Sequence, residues 1–191
     1  AAPNVSTTIS FSYTGYQNHT QSLIAGKQKI DLGTIELTTN MVQLKAVEIT
    51  DYLSELKAKA FEGELKENEI LVTSDTIVWH QNKALGKPKN AEEAFEMIKS
   101  MSNATHEVIT SVCFKTSDSS TLLHDITKVT FNDLSDEAIL YYIENYKPYD
   151  KAGAYGIQEW FGFMAVTKVE GSYTNVMGLP TAKVYEYLTT L

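Results

Sequence analysis

Strand-type and helix-type hydrophobic periods alternate from residue 47 onward, and that alternation restricts the fold more than any other feature of the chain. "EITDYLSELKAKAFEGE" starts a helix at a Thr50 cap and sets Tyr52, Leu53, Leu56, Ala60 and Phe61 on one face. "ILVTSDTIVW", residues 70–79, then reads as a strand. "NKALGKPKNAEEAFEMIKSMSN" is a Gly-Pro loop leading to a helix capped by Asn90, with Phe95, Ile98 and Met101 turned inward. "HEVITSVCFKT" and "HDITKVTFND" follow as two strands joined by a polar turn around "SDSS". "SDEAILYYIENY" is a helix with a Ser135 cap and acids in its first turn, where they complement the exposed N–H groups. "GFMAVTKVEGSYTN" alternates as a strand or hairpin, and "PTAKVYEYLTTL" is a closing helix. Interleaving of this kind implies an α/β fold: a mixed twisted sheet flanked by helices, in two lobes with a groove between them.

Residues 1–42 have a different texture, rich in Ser and Thr and with side-chain charges only at Lys27, Lys29, Asp31 and Glu36. "TTISFSYTG" alternates Ile9, Phe11 and Tyr13 with Thr8, Ser10 and Ser12, the pattern of a strand over 8–13. Asn18 is expected to cap a short helix over "HTQSLIA" that stops at Gly26, and "KIDLGTIELT" reads as extended chain around Gly33. No repeat and no long linker interrupts the chain, so residues 1–191 are expected to form one domain, with 1–42 as a divergent segment and 43–191 as its motif-bearing part.

Charge narrows the function classes. A net charge of −8 leaves no basic stripe with which to displace the counterions of nucleic acid. No segment approaches the roughly 20 consecutive apolar residues of a membrane span, and the N-terminus lacks a basic flank and apolar core, so a soluble, cytoplasmic protein is expected. The single Cys113 cannot form an internal disulfide and, lying in the alternating "VITSVCFK", reads as packing. All 16 basic residues are lysine; any anion site must therefore work with ammonium groups, backbone N–H groups and helix N-termini in place of guanidinium forks. His80 and His106 stand at strand or turn edges without zinc-ligand spacing, and no Gly-x-Ser-x-Gly elbow occurs.

Three stretches carry the polar chemistry. Asp75 sits inside an apolar strand, where an unpaired carboxylate is expensive to bury. Either backbone N–H groups hold it as a structural acid, or the strand opens there into a cleft that binds something positive. In "LGKPKN", residues 85–90, Gly86 and Pro88 hold Lys87 in a loop just past the strand, a pattern that is commonly a surface turn. In "YDKAGAYGIQEWFG", residues 149–162, glycines permit close backbone approach while Lys151, Tyr155 and Gln158 offer polar groups. A glycine-rich hairpin turn accounts for that stretch equally well. Neither a Walker loop nor the dinucleotide fingerprint is present.

As a set, "TSDTIVW", "LGKPKNAEEAFEMIKSMSNATHEVITSV", "DKAGAYGIQ" and "GSYTNVMGLP", with the helix "LSELKAKAF", resemble the Maf family of septum-formation inhibitor homologues, which are nucleoside triphosphate pyrophosphatases. The likeness runs from about residue 43 to 191. It implies a Maf/ITPase-like fold around a nucleotide cleft, hydrolysis of dTTP and UTP, a divalent cation (Mg²⁺ or Mn²⁺), and a homodimer. Carried over by residue, it implies that Asp75 activates water or holds the cation. Lys57 and Lys87 meet the triphosphate, Gln158 lies at the nucleotide, and Thr76, Lys151 and Tyr155 line the substrate site.

The chain departs from the family pattern at its start, where members carry a strand followed by Ser-x-Arg-Arg. Counting back places that loop on Thr14, Gly15, Tyr16 and Gln17. Thr14 can supply a hydroxyl to substrate, but nothing there supplies charge, and two lost charge-assisted contacts of about 1.5–3 kcal/mol each would weaken triphosphate binding by orders of magnitude. A catalytically impaired nucleotide-binding or regulatory protein is therefore the alternative reading. A third is a partner-binding domain that uses Tyr141, Tyr142 and Tyr146 as an interface, against their use in the core.

Overall fold

The computed structural model describes residues 6–11, 19–24 and 46–191. The chain divides into two compact units, Ala1–Leu44 and Lys45–Leu191, and the boundary falls within two residues of the change in texture at residue 42.

The first unit is described as a backbone hairpin. Strand β1, Ser6–Phe11, pairs antiparallel with β2, His19–Ile24, from Ser6 opposite Ile24 to Phe11 opposite His19. The strand expected near 8–13 is present, whereas the helix expected over "HTQSLIA" is a strand. A helix of this length does not hold in water by itself, and pairing with β1 satisfies the same backbone groups between the strands. Thr14, Tyr16, Gln17 and Glu36 lie outside the described residues.

The second unit is built on a five-stranded sheet in the order β4-β3-β5-β6-β7. Its strands are β3 (Leu71–His80), β4 (Lys83–Leu85), β5 (Thr105–Lys115), β6 (Ser120–Phe131) and β7 (Val166–Glu170). The α/β class holds, but every described pairing is antiparallel, where a mixed sheet was expected. Short turns account for two of these pairings, since only antiparallel neighbours can be joined so tightly. Gln81 and Asn82, with φ of 49° and 61°, turn β3 directly into β4, and Thr116 to Ser119 turns β5 into β6.

Side chains alternate across this sheet, and the two faces are covered differently. Even-numbered Val78 and Val108, with Val129 and Phe131, pack against helices α2 (Ala91–Met101) and α3 (Asp136–Tyr146) through Ile98, Met101, Ile139 and Tyr142. Asn90 and Ser135 cap these helices as expected, their side chains accepting from the backbone N–H groups of Glu93 and Ala138. Odd-numbered Ile77 and Ile109 face helix α1, Ala46–Lys59.

Helix α1 corrects two expectations. It starts at Ala46, so Thr50 is an interior residue, completely buried, whose hydroxyl donates to the Val47 and Ala46 carbonyls. The buried face is Ala46, Thr50, Ser54 and Ala58, while Tyr52 and Leu56 are exposed. Small side chains at every fourth position let the helix approach the sheet closely, and Thr73 Oγ1 on β3 donates to the Ser54 carbonyl at 2.7 Å. Apolar periodicity identified the helix and misplaced its inward face.

The remaining chain wraps the even face. Gly153, at φ +68°, occupies a single 3-10 turn at Ala152–Ala154; a Cβ there would come within 2.8 Å of a Val78 methyl carbon. The segment expected as a strand or hairpin forms three elements: a short helix α4 (Trp160–Ala165), β7, and a one-turn helix α5 (Tyr173–Val176). Burial of Phe161 and Ala165 four residues apart explains the helical start. Helix α6, Thr181–Leu188, ends the fold as expected. Cys113 is a buried free thiol. His80 and His106 stand at strand ends as expected, the last residue of β3 and the second of β5, and both are buried; of Tyr141, Tyr142 and Tyr146, Tyr142 alone is fully buried.

Candidate active site

The opening in the sheet lies at β3. Strand β4 pairs only with Val78, Trp79 and His80, so among the described residues the Leu71–Ile77 edge of β3 has no neighbouring strand. Asp75 is the fifth of ten residues on that strand, at an open edge in its middle and not at its C-terminal end. From this edge both faces can contribute to one cavity, of about 540 Å³.

On the α1 face, Lys57 in the last helical turn reaches over the edge. Its Nζ lies 2.5 Å from Asp75 Oδ1 and donates to the Ser74 carbonyl at 2.7 Å. The Asp75 side chain is 18% exposed, so the ammonium takes up most of the burial penalty while one side of the carboxylate stays open to the cavity. Among the described residues Asp75 Oδ2 has no hydrogen-bond partner. The cleft reading of the apolar strand with an acid inside it is the one the geometry matches.

On the opposite face, Ser74 Oγ donates to the Gly178 carbonyl at 2.9 Å. Thr76 Oγ1 shares a 2.9 Å hydrogen bond with Thr110 Oγ1, which in turn donates to the Asn175 carbonyl. These contacts fasten α5 and the turn after it to the strand, and Thr76 and Gly178 both line the cavity.

Two loops close the cavity. Gly153 N–H donates to the Gly86 carbonyl at 3.0 Å, tying the loop that carries Lys87 to the one that carries Lys151, Tyr155 and Gln158. The Lys151 ammonium sits between Asp150 Oδ1 at 2.9 Å and Glu159 Oε1 at 3.1 Å. Partial burial alone would lower the Lys151 pKa, but the hydrogen bonds to both acids outweigh it and hold it above its ordinary value. Asp150 is held below the usual carboxylate range by the Lys151 hydrogen bond, with the Lys87 charge adding to the effect.

Asp75, Lys57, Lys87, Gln158, Thr76, Lys151 and Tyr155 therefore come to one wall system, with Thr14 outside the described residues. Tyr155 differs in kind from the others. It is only 5% exposed, its hydroxyl is hydrogen-bonded to His106 Nε2 at 2.7 Å, and its ring packs on Phe131, so it shapes the wall from within the core. Sequence reasoning passed over Ser74, Asp150, Glu159 and Gly178, all of which line the cavity. Each stands beside or within a motif already singled out, and only the folded loops reveal which neighbours turn inward.

The described cavity walls are electrically balanced: Lys57, Lys87 and Lys151 against Asp75, Asp150 and Glu159. A polyanion entering it needs further positive charge. Among the described residues no group of three or more His, Cys, Asp or Glu side chains is placed to hold a metal ion. One carboxylate with a free oxygen, together with oxygens of a phosphate substrate, nevertheless matches Mg²⁺, which keeps several waters and takes few protein ligands. A second cavity, of about 310 Å³ between the end of α1 and the β5–β6 turn, contains none of these residues. No described helix is long and apolar enough to cross a membrane.

Residues 21–191 match the sequence model of the Maf-like protein family. The chain belongs to the Maf family. A dTTP/UTP pyrophosphatase of Flavobacterium johnsoniae is 90% identical over 149 residues, 78% of this chain and 77% of that protein. Similar proteins of the same description occur in Flavobacterium psychrophilum, 65% identical over 145 residues (76% of this chain, 74% of that protein), and Bacteroides fragilis, 45% identical over 148 residues (78% and 77%). The open edge of β3 and the two loops tied by Gly86 and Gly153 are thus the frame on which this Maf chain carries its polar groups.

Proposed function

We propose that this Maf protein is a nucleoside triphosphate pyrophosphatase that hydrolyses dTTP and UTP to the monophosphate and pyrophosphate. The observation that carries the reading is the Asp75 carboxylate, half-open at a strand edge and gripped by Lys57, in a cavity that also gathers Lys87 and Lys151. Identity of 90% to a protein described as a dTTP/UTP pyrophosphatase supports the substrate class.

In the reaction, a water oxygen forms a bond to the α-phosphorus and the bond from that phosphorus to the α,β-bridging oxygen breaks, releasing pyrophosphate. Asp75 accepts the water proton as general base. Lys57 keeps the carboxylate oriented, Lys87 offsets charge growing on the phosphate oxygens, and Lys151 binds the triphosphate. Should Asp75 instead hold Mg²⁺ or Mn²⁺ together with oxygens of the substrate, the cation would activate the water and supply the positive charge that the balanced walls lack. Gln158, exposed at the cavity rim, is suited to meet the base, and Thr76 to contact the substrate.

A cytoplasmic location goes with this reading and with a buried free thiol at Cys113. A homodimer does too. Tyr141, Trp160 and Phe163 lie exposed on neighbouring helices, with the Tyr141 and Trp160 rings 5.1 Å apart.

Pyrophosphate release from dTTP, UTP, CTP, dATP and GTP with Mg²⁺ or Mn²⁺ tests the proposal. Selective turnover of dTTP and UTP is expected, with a loss of about 10²–10⁴-fold in Asp75→Asn. The absence of arginine favours one other reading, a silent nucleotide-binding protein. Thermal stabilisation by dTTP without pyrophosphate release would select it.

A further inference from the structure

Tyr142 on α3 is completely buried and lies behind the cavity wall, yet its hydroxyl serves only the loop that lines the cavity. It accepts the Gly156 N–H at 3.1 Å and donates to Glu159 Oε2 at 2.5 Å. The other oxygen of the same carboxylate, Oε1, holds Lys151 Nζ at 3.1 Å. A continuous chain of contacts therefore runs from a capped helix in the core, through one phenol and one carboxylate, to an ammonium on the cavity.

Backbone geometry gives independent support. A Cβ at Gly156 would stand 2.9 Å from Glu159 Cδ and 3.0 Å from Lys151 Cε. Glycine there leaves room for the acid and the lysine to fold together over the backbone that the phenol fastens. The two acids around Lys151 also differ: the Asp150 side chain is 74% exposed and Glu159 only 22%. An arriving phosphate can replace Asp150, which returns to water at little cost, while Glu159 stays anchored to Tyr142 and keeps the ammonium in place. Packing alone does not explain the hydroxyl. The ring contacts, to Phe161 at 4.6 Å and Tyr146 at 5.1 Å between centroids, would be served by phenylalanine.

From this geometry we infer that Tyr142 is a positioning residue for triphosphate binding, fastening the 150–159 loop so that Glu159 presents Lys151 to the phosphates. The inference rests on the pyrophosphatase reading for its substrate and deepens it. Its test is a double-mutant cycle on the full chain with Tyr142→Phe and Lys151→Met. Calorimetry with Mg²⁺ and the non-hydrolysable α,β-methylene analogue of UTP gives Kd, steady-state turnover of UTP gives kcat and KM, and thermal denaturation checks folding.

Tyr142→Phe is expected to raise Kd and KM about five- to tenfold, to leave kcat within about twofold, and to add nothing on the Lys151→Met background. An unchanged Kd, or an equal rise on both backgrounds, would overturn the inference and reduce the phenol to packing. Should Tyr142→Phe not fold, Glu159→Gln replaces it in the cycle: it removes the charge that holds Lys151, and the same pattern is expected. An unmodified chain that binds the analogue without hydrolysing UTP would sink the pyrophosphatase reading alone, because Kd still reports the lock. One that binds no analogue would sink both.

Discussion

The two faces of the β3–β5–β6 sheet are covered by different chemistry. Towards α2 and α3 the contact is large and apolar, with Ile98, Met101, Phe131 and Ile139 all excluded from water. Towards α1 it is small and hydrogen-bonded: Ser111 Oγ donates to Asp51 Oδ1 at 2.5 Å and to Thr50 Oγ1 at 2.9 Å, and Lys57 crosses to Asp75. The even face supplies the hydrophobic gain that stabilises the fold. The odd face gives up part of that gain and can thereby hold a charged pair at a fixed place beside an open strand edge. The even face carries the large apolar core, the odd face carries the Lys57–Asp75 pair, and the two meet at the open edge of β3.

Substitutions on each side can break this division or sharpen it. The largest effect is expected from Ile98→Ala, which empties a fully buried position on the even face and should cost about 2–5 kcal/mol in urea denaturation. KM for UTP should stay the same. A change in KM without a loss of stability would mean that the faces are not separable.

Next comes a pH effect on the same face. Burial, with the neighbouring His80 charge, lowers the His106 pKa from 6.5 to about 3. Its neutral ring is bonded to Tyr155 while the unfolded chain protonates, so the unfolded state binds more protons through this window. Stability should therefore fall as pH drops from about 6.5 towards 3, by roughly 1.4 kcal/mol per pH unit at most from this one group. Denaturation midpoints at pH 7, 6 and 5 should show a shallower fall in His106→Gln, and an unaltered slope would remove His106 as the cause.

On the odd face, Ala58→Leu forces bulk into a helix–sheet contact built for small residues. About 1–3 kcal/mol of destabilisation is expected, with loss of UTP turnover as Lys57 is displaced. The smallest effect is expected from Leu56→Ser, on the same helix and 47% exposed, which should move stability by no more than about 0.5 kcal/mol. A larger loss would show that the apolar pattern of α1 marks a buried face after all.

Local physics explains which features were legible in the sequence. Asn90 and Ser135 announced their helices because a capping side chain meets backbone N–H groups three residues away, with no help from the rest of the fold. Strands β3, β5 and β6 were legible because β-branched and aromatic runs bounded by polar turns suit a sheet wherever it lies. The motifs around Asp75, Lys87 and Gln158 marked the candidate site for a similar reason, since the residue types and their spacing are themselves linear.

What the fold alone decided depends on partners distant in the chain. Which face of α1 turns inward followed from how closely the helix could approach Thr73 and Ser111, and that selects small residues over large ones. His19–Ile24 became a strand because β1 lay within reach of its backbone groups. Glu159 joined the cavity, and Tyr155 withdrew into its wall, because Tyr142 and His106 stand 17 and 49 residues away to receive them. Capping and periodicity act within a few residues and can be read along the chain; burial and pairing are properties of the assembled sheet.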